Sequence, residues 1–152
     1  MTVVVIDASV VIKWATTEPL AAEATWLLTH IRLIAPELLI AECANVLWKK
    51  VRRGELDPET ARLAGAAIAR VDIELSPMRQ DMIDAVRLAI ALKHPAYDCL
   101  YLALALRRTC QFVTADAQLI EKINRSADKE LAGLALALAD APATLAPGKG
   151  PV

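Results

Sequence analysis

Apolar residues change their spacing repeatedly along the chain, and each change marks an element. Val3-Val4-Val5-Ile6 is an unbroken β-branched run, the pattern of a strand covered on both faces. Asp7 and Ser9 follow, and either side chain can cap a helix starting near Val10. Pro19 suits the first turn of a second helix that runs through Trp26 to about Ile31. Leu33-Ile34-Ala35, closed by Pro36, reads as a strand. Glu37 to Arg53 reads as a long helix ended by Gly54. Asp57-Pro58-Glu59 combines a cap with a first-turn proline and opens a helix to about Arg70. Val71 to Leu75 alternates apolar and acidic residues, as a strand does. Arg79 to Leu92 is amphipathic, His94-Pro95 breaks it, and Tyr97 to Arg108 is a helix with an apolar centre. Phe112-Val113-Thr114 predicts a strand and Ala117 to Asn124 a helix. Leu134 to Leu138 fits either strand or helix.

Strands alternating with helices imply a parallel sheet between helical layers, an α/β/α sandwich. Residues 1–140 carry this pattern as one domain. Residues 141–152 hold three prolines and two glycines and read as a loose tail. There is no internal repeat.

Composition narrows the class. The chain has 152 residues, 56% hydrophobic and 23% charged, with a formal net charge of −1. This excludes a disordered chain and a generally cationic nucleic-acid binder, but leaves room for a local basic patch. The three cysteines, Cys43, Cys99 and Cys110, show no C-x-x-C spacing. A disulfide framework or cysteine zinc site is not expected. No signal peptide opens the chain, and no apolar run approaches the roughly 18–20 residues of a membrane span. A soluble, cytoplasmic protein is the expectation.

The residues that stand out are acids in apolar settings. Asp7 and Asp116 each follow a predicted strand, where open α/β sheets bind ligands; each is also a good helix cap. Asp98 interrupts an apolar helix, and burying an unpaired carboxylate there is costly. Glu42 and Asn45 are the only polar residues in Leu38 to Trp48 and share one helix face. Carboxylates that share a pocket repel one another unless a cation intervenes. An all-oxygen set without His or Cys suits Mg²⁺, or Mn²⁺, rather than zinc. Of the two histidines, His30 reads as a helix-end surface residue and His94 as part of a turn; neither reads as a ligand.

Four segments then match a family. Val5 to Trp14, Ala35 to Lys50, His94 to Ala105 and Phe112 to Leu119 together resemble the PIN-domain nucleases, specifically the VapC-type toxins of toxin–antitoxin pairs. The resemblance covers Val3 to about Leu119. It implies a compact α/β/α fold, Mg²⁺-dependent endoribonuclease activity, a homodimer and inhibition by a small antitoxin. Carried over by position, Asp7, Glu42, Asp98 and Asp116 match the family's acidic quartet, with Asp7, Asp98 and Asp116 as metal ligands. Ser9 and Thr114 match polar positions beside them, and Asn45 lies next to Glu42 on its helix face.

Metal-activated water attacking an RNA phosphodiester would leave a 5′-phosphate and a 3′-hydroxyl. RNA also needs cationic flanks. Lys49, Lys50, Arg52 and Arg53 are four bases in five residues, and Lys13 lies one turn past Ser9. Helix-end bases also arise simply from the dipole. Trp14, Trp26 and Trp48 read as packing residues of the core or a dimer interface ahead of base-stacking platforms, and the first two helices, with Trp26, Leu27 and Leu28, as dimer surface. A dehalogenase-like phosphatase would want a second Asp where Ser9 stands. The remaining alternative is a catalytically silent PIN-like protein that binds RNA or a partner.

Overall fold

The structure, a computed structural model, describes residues 1–147. Its centre is a five-stranded parallel sheet in the order β3-β2-β1-β4-β5. The strands are β1 (Val3–Ile6), β2 (Arg32–Pro36), β3 (Glu74–Ser76), β4 (Gln111–Thr114) and β5 (Ala135–Ala137). The helices are α1 (Ala8–Val11), α2 (Ala21–His30), α3 (Leu38–Arg52), α4 (Pro58–Ile68), α5 (Met82–Leu92), α6 (Ala96–Arg108), α7 (Ala117–Asn124) and α8 (Ala141–Leu145). They flank the sheet, giving the expected α/β/α sandwich.

Val4, Val5 and Ile6 are wholly buried because helices cover both faces of β1, which is why this strand shows no alternation. α6 packs across β1, β2 and β4. Its Cys99, Tyr101, Leu102, Leu104 and Ala105 have no exposed surface. β1 pairs with β2 on one side and β4 on the other. Chain order reverses at β1, and the crevice at the carboxyl ends of β1 and β4 is where such sheets bind ligands.

Several boundaries differ from the expectation. α2 starts at Ala21, after Leu20 in the left-handed region at φ 69°, so Pro19 precedes the helix. Only Glu74–Ser76 of the expected strand pairs with β2, because the chain turns at Val71, whose carbonyl accepts from Ile73 N. Ala135–Ala137 resolves the ambiguous segment as a strand beside β4.

The expected loose tail is a helix over Ala141–Leu145, packed on α2 with Ala141 buried. Pro142 lies in its first turn, where proline suits a helix; the remainder of that tail, 148–152, lies outside the described residues. Among the described residues no helix is long and apolar enough to cross a membrane.

Arg107 and Arg108 do more than end α6. Arg107 Nε donates to Asp81 Oδ1 at 2.7 Å and its Nη2 to Asp81 Oδ2 at 3.0 Å and Ser76 Oγ at 3.0 Å. Arg108 pairs with Glu74 at 2.7 Å. Both arginines therefore pin β3 and the turn before α5.

Candidate active site at the carboxyl ends of β1 and β4

Asp7 leaves β1 in extended conformation and caps α1. Its Oδ1 accepts from Ser9 N at 3.0 Å and from Ser9 Oγ at 2.5 Å. Its Oδ2 accepts from Thr114 Oγ1 at 2.6 Å. Ser9 Oγ accepts in turn from Ala115 N at 2.9 Å, and Thr114 Oγ1 from Asp116 N at 3.1 Å. With those acceptor roles filled, the single hydroxyl protons of Ser9 and Thr114 both point at Asp7. The network ties the end of β1 to the end of β4 and fixes the carboxylate.

Asp7 is only 6% exposed. Burial, with the charges of Asp98 and Glu42, pushes its carboxyl from 3.8 up to about 6, against the lowering effect of Ser9 and Thr114. Glu42 is also raised, by burial and by Asp98, although Tyr101 lowers it. Asp7, Glu42 and Asp98 thus lie within one another's fields. Tyr101, fully buried on α6, donates from its hydroxyl to Glu42 Oε2 at 2.6 Å. Asp98 Oδ2 lies 2.5 Å from His94 Nε2. Among the described residues, none of these three acids is paired with a lysine or arginine.

The outer members of the predicted set behave differently. Asp116 is exposed and caps α7, with Oδ1 accepting from Leu119 N at 3.1 Å. Asn45 is exposed and makes no hydrogen bond to the acids among the described residues; it lies on the solvent side of α3. Lys13 and Lys50 are not free cations. Glu18 takes both, Lys13 at 3.5 Å and Lys50 more closely, and Lys50 also binds Glu55 at 3.1 Å. Lys49, Arg52 and Arg53 remain exposed.

Trp48 is not core: it is 53% exposed, with the Arg52 guanidinium 4.7 Å over its ring. Leu27, expected at a dimer surface, is wholly buried. Cys43 and Cys99 are buried thiols. Burial first, then the acids, raises Cys43 to about 12, and burial with Asp98 raises Cys99 to about 11. Neither is a nucleophile.

Sequence reading missed His94, Tyr101 and Glu18. For His94 the signal was its spacing of four from Asp98. Tyr101 stands three residues past Asp98 on the same helix. Glu18 gave no signal for its pairing with Lys50, which is 32 residues away.

Asp7 has a consequence for stability. Between about pH 4 and pH 6 the folded protein keeps a proton on Asp7 that the unfolded chain has lost, so stability falls as pH rises through this window. The shift from 3.8 to about 6 corresponds to about 3 kcal/mol. Urea unfolding of the metal-free protein should show this fall from pH 4 to 7, and Asp7→Asn should remove it.

Comparison with known proteins gives the family and the fold. The PIN domain model matches residues 4–125, and the chain belongs to the PIN domain family. No curated protein matches the sequence at a significant level. Among solved structures, PAE2754 from Pyrobaculum aerophilum is similar at TM-score 0.71 and 23% identity, over 95% of this chain and 96% of that one. VapC20 of Mycobacterium tuberculosis, described as a Sarcin-Ricin loop cleaving toxin, is similar at TM-score 0.57 and 11% identity, over 86% and 93%. VapBC2 from Rickettsia felis, bound to a promoter DNA fragment, is similar at TM-score 0.62 and 10% identity, over 90% and 98%.

The PIN fold raises the question of a divalent ion. Among the described residues no group of three or more His, Cys, Asp or Glu is arranged to hold one as the side chains stand. The chemistry of the donor set nonetheless fits. Asp7, Glu42 and Asp98 lie within one another's fields, and hydroxyl or imidazole groups hold them. Asp98 Oδ1 and Glu42 Oε1 accept no hydrogen bond among the described residues. A hard cation is what such oxygens suit.

Proposed function

We propose that this protein is an Mg²⁺-dependent endoribonuclease, the toxin of a type II toxin–antitoxin pair. The observation that carries the reading is the buried Asp7, raised by burial and by Asp98 and Glu42, with no cationic side chain paired to it among the described residues. Two solved structures of similar fold, named as a VapC toxin and as VapBC2, support the toxin reading.

Asp7 and Asp98 would hold the ion, with Asp116 reaching it through Oδ2 and water, since its helix cap uses Oδ1 alone. Mn²⁺ suits the same oxygens. When bound, the ion supplies charge neutralisation at the phosphate and acidifies a water. Glu42, fixed through Oε2 by Tyr101, presents Oε1 to orient that water and take its proton. Ser9 and Thr114 keep the Asp7 carboxylate in place. The water oxygen bonds to phosphorus as the bond to the 3′-oxygen breaks, and the 3′-oxygen takes a proton from solvent. The products are a 5′-phosphate and a 3′-hydroxyl.

RNA approaches along α3, where Lys49, Arg52 and Arg53 are exposed beside Trp48. Replacing these three bases by Ala should flatten the salt dependence of RNA binding by up to three phosphate contacts. Replacing Lys13 and Lys50, already held by Glu18, should change it little. Filter binding across a salt series measures both slopes.

A cytoplasmic homodimer and a small antitoxin belong to the same proposal. Met82, Ile83, Val86 and Ile90 of α5, with Tyr97 of α6, form an exposed apolar surface of the kind that meets protein partners. The direct test is cleavage of total cellular RNA with Mg²⁺, with EDTA, and by Asp7→Asn. Activity only in the first case supports the reading; a 2′,3′-cyclic phosphate end, or cleavage in EDTA, contradicts the metal-activated water.

A further inference from the structure

An RNA strand leaves its scissile bond in two directions, so a site built of acids needs positive charge on two flanks. One flank is α3, on the β2 side of the crevice. The other is α7, which follows β4 and packs on β5. Its Lys122 lies beside the acids: Nζ is 3.1 Å from His94 Nδ1, and His94 Nε2 is 2.5 Å from Asp98 Oδ2. One imidazole ring therefore separates this ammonium from Asp98. No carboxylate pairs with Lys122 among the described residues. A base in the last turn of a helix can arise from the dipole alone, but Lys122 makes its contact outside α7.

Lys122 also lines a cleft of about 430 Å³ between α7 and the end of α5, with Leu92, Gln118, Glu121, Arg125 and Ser126. Clefts of about 300–1,000 Å³ take small ligands. Gln118 and Lys122 stand four apart, on one face of α7. Glu121 pairs with Arg125 at 2.5 Å, so the lining keeps one net positive charge, at Lys122. Gln118 is exposed, and its amide makes no hydrogen bond among the described residues. Ser126 Oγ accepts from Asp128 N at 3.2 Å, which leaves its proton to donate. The cleft thus offers a cation suited to a phosphate and an amide suited to a base edge, which is how unpaired RNA bases are read.

We propose that the cleft between α5 and α7 is a nucleotide subsite beside the scissile bond: Lys122 takes the phosphate next to the one that is cleaved, and Gln118 hydrogen-bonds the neighbouring base. This rests on the nuclease reading above. It makes α7 a determinant of where the RNA is cut, separate from the cations of α3.

Filter binding across a salt series tests the phosphate contact, with a single-stranded RNA of about 12 nucleotides and mixed sequence on the Asp7→Asn protein, which should not cleave it. Adding Lys122→Ala should weaken binding about fivefold at about 0.1 M salt and lower the salt slope by about 0.7, the share of one phosphate on a single strand. Lys122→Arg should restore both. Titration with Mn²⁺ should show Lys122→Ala binding the ion no more weakly than the unaltered protein, since an ammonium repels it. An unchanged salt slope overturns the inference. So does weaker Mn²⁺ binding, which would mean that Lys122 acts on the acids through His94. Mapping of cleavage sites on total cellular RNA with Mg²⁺ should show a base preference at a position flanking the cut, and Gln118→Ala should relax it about fivefold or more. No preference in the unaltered protein, or one unchanged in Gln118→Ala, overturns the role of Gln118. Absence of any cleavage by the unaltered protein would instead overturn the nuclease reading, and the subsite with it.

Discussion

Replacing Asp7 with Asn should abolish RNA cleavage while making the protein more stable. A bound ion contributes several kcal/mol of charge stabilisation in the transition state, and its loss corresponds to about a thousandfold or more in rate. The same substitution removes a buried charge that is raised to about 6 by burial and by two neighbouring acids. At neutral pH the metal-free Asp7→Asn protein should therefore gain about 1–3 kcal/mol. Cleavage kinetics and urea unfolding on one preparation check both signs. Asp7→Asn that loses activity because it unfolds would refute this account of the pocket, since a merely structural cap would lose stability on replacement.

Arg107→Ala should have the largest effect on stability. Asp81 is 2% exposed and takes two hydrogen bonds from Arg107, which also reaches Ser76 at the end of β3. Removing the guanidinium strands a buried carboxylate, at a cost of about 3–5 kcal/mol. The companion Asp81→Asn should cost less, because an amide tolerates burial better than an unpaired charge. Thermal or urea unfolding of both variants measures the difference. If Arg107→Ala unfolds within about 0.5 kcal/mol of the unaltered protein, the pair is no more than a surface contact.

What the sequence makes legible here follows from which signals are local. Val3 to Ile6 reads as a buried strand because β-branched residues fill every position, and Asp116 reads as a cap because Ala117 to Asn124 follows it with helical spacing. The four acids stand out because Asp7 and Asp116 follow apolar strands and Glu42 and Asp98 interrupt apolar helices, and Asp7, Glu42 and Asp98 share a field in the fold. Burial state was harder to read. Asp116 follows β4 just as Asp7 follows β1, yet it faces solvent.

Pairing across distance was not legible. Nothing local marks Glu18 as the partner of Lys50, or Asp81 as the partner of Arg107. Bases that looked free are consequently spent on structure. α5 misleads for a different reason. Its apolar residues exceed one face, so Ala85, Leu88 and Leu92 turn inward while Met82, Ile83, Val86 and Ile90 stay outside. Proline content hid α8, since Pro142 begins that helix and does not break it.

The central claim is that Asp7, Glu42 and Asp98 gather around one divalent cation. Anomalous diffraction from crystals soaked in Mn²⁺ tests it most directly. A peak about 2.1 Å from carboxylate oxygens of Asp7 and Asp98, lost in Asp7→Asn, is the predicted result. A peak only elsewhere on the molecule, or no peak at an Mn²⁺ concentration that supports cleavage, would contradict it.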